Sequence, residues 1–328
     1  MKVLFYGGCH AEVLCDIFNK YCTTDFTGAL ITNYRLIERG EAFPYESLPD
    51  YDAVLFSPIL NKGDYNTAHL REACAARQLK TICYPWLQWN GYYPGLRKYA
   101  EQGWAYELLA ERAKAFSDFE AYKTWVMQDP FTEAEILAMS EQSLLRLREV
   151  ETSEGISLRL SDLVEAHATS QRLFLTPDHP TLFVYKRLAR DIAQQLGVAL
   201  ADEFYDSVRE LHPDQFVPIL PAVERALGLG FKARFAQFPA LFKDRRYDFD
   251  EWLRTLYFAA PDRSVYIAGA PQAVRPRGAP PRHLDAGEMI ILQSDAAGRR
   301  YLIDTEAPAA QEVEIDGEGE MFPLPVYG

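Results

Sequence analysis

Cys9 and His10 stand side by side after a double glycine, in the opening stretch MKVLFYGGCHAEVL. A thiol acts as a nucleophile when a base is near, and an imidazole is a ready base. Gly7 and Gly8 permit a tight turn, and their N–H groups stand near the start of the helix that follows. That setting favours negative charge, so it would lower the pKa of the Cys9 thiol and stabilise an oxyanion at Gly8–Cys9. The other reading is a packed thiol in a tight turn, since cysteine often serves as a small buried hydrophobe. Both readings stay open on this stretch alone.

A second stretch, LTPDHPTLFVYKRLARDIA (residues 175–193), carries Asp178-His179 at the junction of a strand and a helix. Pro180 suits the first helical position, which would put Asp178 or His179 near the cap. In a parallel sheet this turn lies on the same edge as the turn that holds Cys9. A Cys9–His179 dyad oriented by Asp178 is the corresponding chemistry.

Two further loops leave strands on that edge. SPILNKGDY (residues 57–65) offers Ser57 and Asn61 as hydrogen-bond donors to an oxyanion or a ligand carbonyl, although Asn, Gly and Asp also simply make turns. Lys62 and Arg71 are candidate phosphate contacts or solvated charges. CYPWLQWNGYYPGL (residues 83–96) is dense in Trp, Tyr and Pro. Aromatic loops above a sheet edge wall ligand pockets, or else cover a core; Asn90 and Tyr92 are its most suggestive polar groups.

Several common chemistries are excluded by pattern. G-G-C-H-A-E-V lacks the G-x-G-x-x-G spacing of a dinucleotide fingerprint, and no Gly-Lys-Ser/Thr follows to make a phosphate-cradling loop. A phosphatase-like arginine six residues after Cys9 is absent, because that position is Cys15. Asp248-Phe249-Asp250 has the form of a metal-binding D-x-D, but it precedes EWLRTLYF, so Asp250 reads as a helix cap. His69, His167, His212 and His283 lack ligand spacing and read as structural or solvated. No metal is expected.

The elements that must position these residues alternate. Strand-like runs stand at Lys2–Tyr6, residues 26–32, Ala53–Phe56 and LKTICYP, with helical spacing at 11–21 and 65–78. That order predicts crossover units and a parallel sheet. QRLFLT (171–176) and a helix from about Pro180 to Leu196 read as a further βα unit of the same sheet. The expected fold is therefore α/β: a three-layer parallel-sheet core with a helical insertion and a small C-terminal β-rich module. Residues 1–200 form the core with the insertion at about 95–170, 201–261 a helical segment packed on it, and 262–328 the β-rich module. PQAVRPRGAPPRHLDAG reads as a loop within that module.

The 328 residues are 48% hydrophobic and 25% charged, as in an ordinary soluble globular protein. A formal net charge of -13 makes nucleic acid or an anionic membrane surface an unsuitable general partner. No run approaches the ~18 consecutive apolar residues of a membrane span. The five cysteines are odd in number and contain no C-x-x-C pair, and no positively charged leader precedes the first strand. A reducing cytoplasm is the expected compartment. Nothing here sets the oligomeric state.

Three short motifs, in order, resemble the WcbI-type capsular-polysaccharide biosynthesis proteins. Gly7-Gly8-Cys9-His10 is similar to that family's Gly-Asn-Cys-Gln at the end of the first strand. Gly91-Tyr92-Tyr93-Pro94 is similar to its Gly-Tyr-x-Pro loop, and Asp178-His179-Pro180-Thr181 to its Asn-His-Pro-Thr helix start. The resemblance covers about residues 1–200. It implies coenzyme A binding and acetyl transfer to a sugar hydroxyl in surface-polysaccharide assembly, on a sheet similar to those of SGNH-type hydrolases and flavodoxin-like proteins. With a coenzyme in view, Gly7, Lys62 and Arg71 are the candidate cofactor contacts. Gly8 and His10 depart from the family pattern: one removes a side-chain donor, the other adds a titratable group.

The expected function is thus an acyl-coenzyme A-dependent O-acyltransferase with a small-molecule acyl donor and a carbohydrate acceptor. His179 would serve as base toward the acceptor hydroxyl or toward Cys9. A thiol esterase or deacetylase using water as acceptor, and a non-catalytic carbohydrate-binding protein, are the alternatives, since one fold hosts many activities.

Overall fold

The computed structural model describes residues 1–60, 62–99, 103–128, 130–212, 216–233, 235–237, 246–259, 262–303 and 311–324. The chain divides into two compact units. One comprises Met1–Tyr92, Leu137–Pro213 and Leu229–Phe231; the other comprises Tyr93–Ile136, Asp214–Gly228 and Lys232–Gly328.

The first unit is built on four parallel strands: β1 (Lys2–Gly7), β2 (Thr27–Thr32), β3 (Ala53–Phe56) and β4 (Lys80–Cys83). Their order is β2-β1-β3-β4. β1 and β3 are central, and their apolar runs are buried on both faces, as parallel strands under crossover helices must be. Leu4, Tyr6, Val54 and Phe56 face Leu70 and Cys74 of α3 (Thr67–Ala76). On the other side Phe5 packs against Phe18 of α1 (Cys9–Tyr21), ring centroids 5.9 Å apart. Ala11, Leu14, Cys15, Ile17 and Phe18 form the buried stripe of α1, at helical spacing.

The later part of this unit departs from expectation. Residues 174–176 do not extend the parallel sheet. They form β7 (Phe174–Thr176), which pairs antiparallel with β8 (His179–Pro180) in a separate two-stranded hairpin. The cause is local: the chain reverses at Pro177–Asp178, and the Thr181 N–H donates back to the Leu173 carbonyl at 2.9 Å. The following helix, α8 (Leu182–Leu196), therefore starts two residues after Pro180, with Thr181 at its N-cap. No Thr181 side-chain cap is made; the Leu182 N–H is taken instead by the Glu210 carboxylate at 2.7 Å. Gly197 ends the helix at φ 75°, where glycine carries no Cβ penalty.

The second unit contains an antiparallel hairpin, β5 (Leu96–Tyr99) and β6 (Gly103–Tyr106), at the start of the stretch expected to be helical. The helices α4 (Glu107–Ala113) and α5 (Phe119–Gln128) follow. A long helix, α6 (Glu133–Ser153), begins in this unit and ends in the first. A further helix, Phe249–Tyr257, starts with a capping box. Asp248 accepts from the Glu251 N–H, and the Glu251 side chain accepts from the Asp248 N–H. The cap is thus Asp248 rather than Asp250, whose carboxylate pairs with Lys123. Asp248 thus engages the helix N-terminus and Asp250 engages Lys123.

The C-terminal part is a seven-stranded antiparallel sheet. Two of its strands, Gln272–Pro276 and Arg282–Leu284, lie in the segment expected to be a loop. Composition concealed them: the prolines and arginines stand at strand ends and on the exposed face, while Val274 and Leu284 are buried in the sheet's core. Among the described residues no helix is long and apolar enough to cross a membrane.

Candidate active site

The turn between β1 and α1 is built by two glycines with different jobs. A Cβ on Gly7 would lie 3.0 Å from the Ala11 Cβ and 3.1 Å from the Tyr84 hydroxyl. Gly7 is therefore a packing requirement beneath the turn. Gly8 is the N-cap of α1, and its carbonyl accepts from Ala11 and Glu12. Cys9 is the first helical residue and is exposed. Beneath it Tyr84 and Tyr185 are fully buried. Burial chiefly pushes both phenols well above their ordinary pKa, and the neighbouring Cys9 adds to this in each case. The Ser57 hydroxyl acts against the rise at Tyr84.

The Asp178–His179 turn comes to this edge as a hairpin tip. His179 is only 6% exposed. Its Nδ1 lies 2.9 Å from Asp178 Oδ1 and 2.5 Å from Thr176 Oγ1, while the Thr176 hydroxyl donates to Asp178 Oδ1 at 3.0 Å. One hydrogen arrangement satisfies all three contacts: Thr176 gives its proton to the carboxylate, and Nδ1–H donates to both oxygens. Nε2 then carries the lone pair, which is the tautomer of a general base backed by a carboxylate.

His10 joins the two turns. Its Nε2 is 2.7 Å from the Asp178 carbonyl oxygen. A carbonyl only accepts, so Nε2 carries the hydrogen. The residue that adds a titratable group to the thiol turn thus fastens that turn to the histidine turn. The Trp89 backbone N–H ties the loop after β4 to the same hairpin, donating to the Pro177 carbonyl at 2.9 Å.

One neighbour of this cluster had no signal in the sequence. His212 packs against His179 with ring centroids 4.8 Å apart at 74°, and its Nε2 is 3.0 Å from the Tyr185 hydroxyl. Burial first, then His179 and His10, lower its pKa to about 3, with Asp178 opposing. His212 is neutral at physiological pH. As a lone histidine 33 residues beyond His179, it had no spacing to mark it.

The other candidates fall in different places. Ser57 is half-buried at the end of β3, beside Tyr84 and 3.7 Å from where a Gly7 Cβ would stand. Asn61 lies outside the described residues. Lys62 is exposed at the start of a short turn. Arg71 is committed elsewhere, pairing with Glu154 at 2.9 Å and donating to Cys83 Sγ at 3.2 Å. Tyr92 is fully buried, and its hydroxyl meets the Ala168 and Gln171 carbonyls at 2.6 and 3.0 Å, so it pins a loop. The Asn90 N–H donates to Ser143, and its Oδ1 is buried without a hydrogen bond. Separately, a cavity of about 270 Å³ opens between α7 (Leu160–His167) and α8, with Leu158, Leu163, Val184 and Leu188 in its lining and Arg159 and Arg187 among its polar groups.

The model of the polysaccharide biosynthesis enzyme WcbI matches residues 2–201. The chain belongs to the WcbI family. A solved structure of WcbI, described as a novel polysaccharide biosynthesis enzyme in its native form without a disulfide between coenzyme A and one of its cysteines, is similar in fold. The TM-score is 0.62 at 18% identity, over 78% of this chain and 88% of that one. No curated protein matches the chain. Cys9, His10, Asp178 and His179 all lie within the matched WcbI region, whereas the seven-stranded C-terminal sheet lies beyond it.

Proposed function

We propose that this WcbI-family chain is an acyl-coenzyme A-dependent O-acyltransferase acting on a sugar hydroxyl in surface-polysaccharide biosynthesis. The observation that carries the reading is the docked pair of turns: an exposed thiol on the first residue of α1, tied through His10 to a hairpin whose His179 is backed by Asp178. The parallel order β2-β1-β3-β4 supports the reading, because open α/β sheets bind ligands beyond the carboxyl ends of their strands, and Gly8–Cys9 leaves the carboxyl end of β1.

In the proposed reaction His179 Nε2 takes the proton from Cys9 Sγ, and the thiolate attacks the donor's acyl carbonyl. The carbon–sulfur bond to the coenzyme breaks, and His179 returns the proton to the departing thiolate. His179 then removes the acceptor hydroxyl's proton, the alkoxide takes the acyl group, and Cys9 recovers the proton. Gly8 contributes no capping side chain, and the positive N-terminal end of α1 would favour the negative charge of an oxyanion beside Cys9. Asp178 stabilises the imidazolium at each stage.

The residues fit a coenzyme thioester in their chemistry. The thiol is exposed, and Arg159 lines the cavity beside α8. Lys62 and Gly7 are weaker contacts, since Lys62 is solvated and Gly7 is enclosed by Ala11 and Tyr84. We place the reaction in the reducing cytoplasm, where the five thiols stay reduced. Calorimetry with coenzyme A, followed by acetyl-coenzyme A turnover with and without sugar acceptors, tests the reading. Binding with acceptor-dependent turnover supports it. No binding sinks it, and turnover equally fast without acceptor assigns a hydrolase.

A further inference from the structure

The segment from Tyr205 to His212 lies as a strap over the first turns of α8. Lys186 Nζ donates to the Tyr205 and Ser207 carbonyls at 2.5 and 2.6 Å. Glu210 accepts from the Leu182 N–H at 2.7 Å, and Tyr185 meets His212 at 3.0 Å. Three residues of the first turns of α8, Leu182, Tyr185 and Lys186, therefore hold one strap, and its last contact delivers the His212 ring to His179.

His179 needs such a neighbour. Thr176 and Asp178 bind one ring nitrogen, but a single edge does not prevent an imidazole from rotating about its ring torsion, which is broad. A half-turn exchanges Nδ1 with a carbon, breaks both contacts and redirects Nε2. A second ring packed at 74° on His179 closes that rotation. A histidine suits the position better than a purely apolar ring. It packs as an aromatic and also satisfies the hydroxyl of Tyr185, which is buried and needs a partner.

We propose that His212, held on the Tyr205–His212 strap by Tyr185, is a positioning residue that locks the His179 imidazole in its Nδ1–H orientation. This rests on the reading of His179 as the base, but its test does not require turnover. His10 from α1 and Asp178 from the hairpin act on His212 together with His179, while Cys9, Tyr84 and Asp178 act on Tyr185. None of them takes the place of the packed ring.

The test is the long-range proton–nitrogen spectrum of histidine-labelled full-length protein, which reports which ring nitrogen carries the hydrogen. Wild type shows His179 as one tautomer, with hydrogen on Nδ1. His212→Ala gives averaged nitrogen signals, and His212→Phe, which keeps the ring, restores the single pattern. Once turnover is measured, His212→Ala lowers kcat at least 10-fold and leaves KM unchanged. A wild-type His179 pattern in folded His212→Ala overturns the proposal. Where that variant does not fold, Tyr185→Phe decides: partial averaging supports the proposal and an unchanged pattern overturns it. If acyl transfer is absent while the tautomer still depends on His212, the reaction assignment fails and the positioning role stands.

Discussion

His10 donates from Nε2 to the carbonyl oxygen of Asp178, 2.7 Å away and 168 residues along the chain. One hydrogen bond thus closes the distance between the thiol turn and the histidine turn, and the residue beside the nucleophile candidate acts as a fastener. Replacing it separates two roles. His10→Gln keeps a donor of similar reach and retains most of the stability. His10→Phe leaves the Asp178 carbonyl without its partner and costs about 1–2 kcal/mol. Denaturant midpoints of the two variants check this, and equal midpoints contradict it.

The two glycines differ in the same measurable way. Gly7→Ala drives a methyl against Ala11 and Tyr84, at 3.0 and 3.1 Å, and overpacking of this kind costs about 1–3 kcal/mol. Gly8→Asn meets open space, with Asn33 Oδ1 the nearest neighbour at 3.6 Å from the new Cβ. It supplies a better N-cap, so stability changes by a few tenths of a kcal/mol at most. Thermal unfolding of the pair decides, and a tolerated Gly7→Ala contradicts the packing.

Much of this arrangement was legible in the residues. β1 and β3 are apolar runs bounded by glycine, proline and aspartate, and α1 shows a clean stripe from Ala11 to Phe18. Asp178-His179 stood out because an adjacent acid and base on a strand–helix junction have few structural reasons to coincide. What escaped was non-local. The hairpin that replaces a fifth strand depends on Thr181 reaching back to Leu173. The α8 cap comes from Glu210, 28 residues away, rather than from Asp178. His212 reaches His179 through a strap that Lys186 holds by two backbone carbonyls, contacts that no side-chain pattern encodes.

Acid should expose the neutral state of His212. Burial and the neighbouring histidines His179 and His10 lower its pKa from 6.5 to about 3. Between those values the unfolded chain binds a proton that the folded chain refuses, so stability falls as pH drops through this window and is untouched above it. His212→Phe removes the group from both states. The variant therefore loses less stability than wild type from about pH 7 to about pH 4, by on the order of 3 kcal/mol. Denaturant titrations at the two pH values measure the difference, and equal losses contradict the account.

Thiol reactivity separates Cys9 from the buried cysteines. Burial pushes Cys15, Cys74 and the half-buried Cys83 each up to about 11, leaving them protonated at neutral pH. Cys9 is exposed at a helix N-terminus, where thiolate is favoured. Iodoacetamide at neutral pH labels Cys9 at least about 10-fold faster than those three, as peptide mass spectrometry resolves. Labelling of Cys74 or Cys83 ahead of Cys9 contradicts this.

The central claim is that His179, backed by Asp178, is the base of a coenzyme A-dependent acyl transfer. Its most direct measurement is the rate of coenzyme A release from acetyl-coenzyme A, with a sugar acceptor present, in wild type and folded His179→Ala. Loss of a general base costs about 10²–10⁴-fold in rate. A fall of that size, with coenzyme A binding retained, is the predicted result; a His179→Ala rate equal to that of wild type contradicts the account.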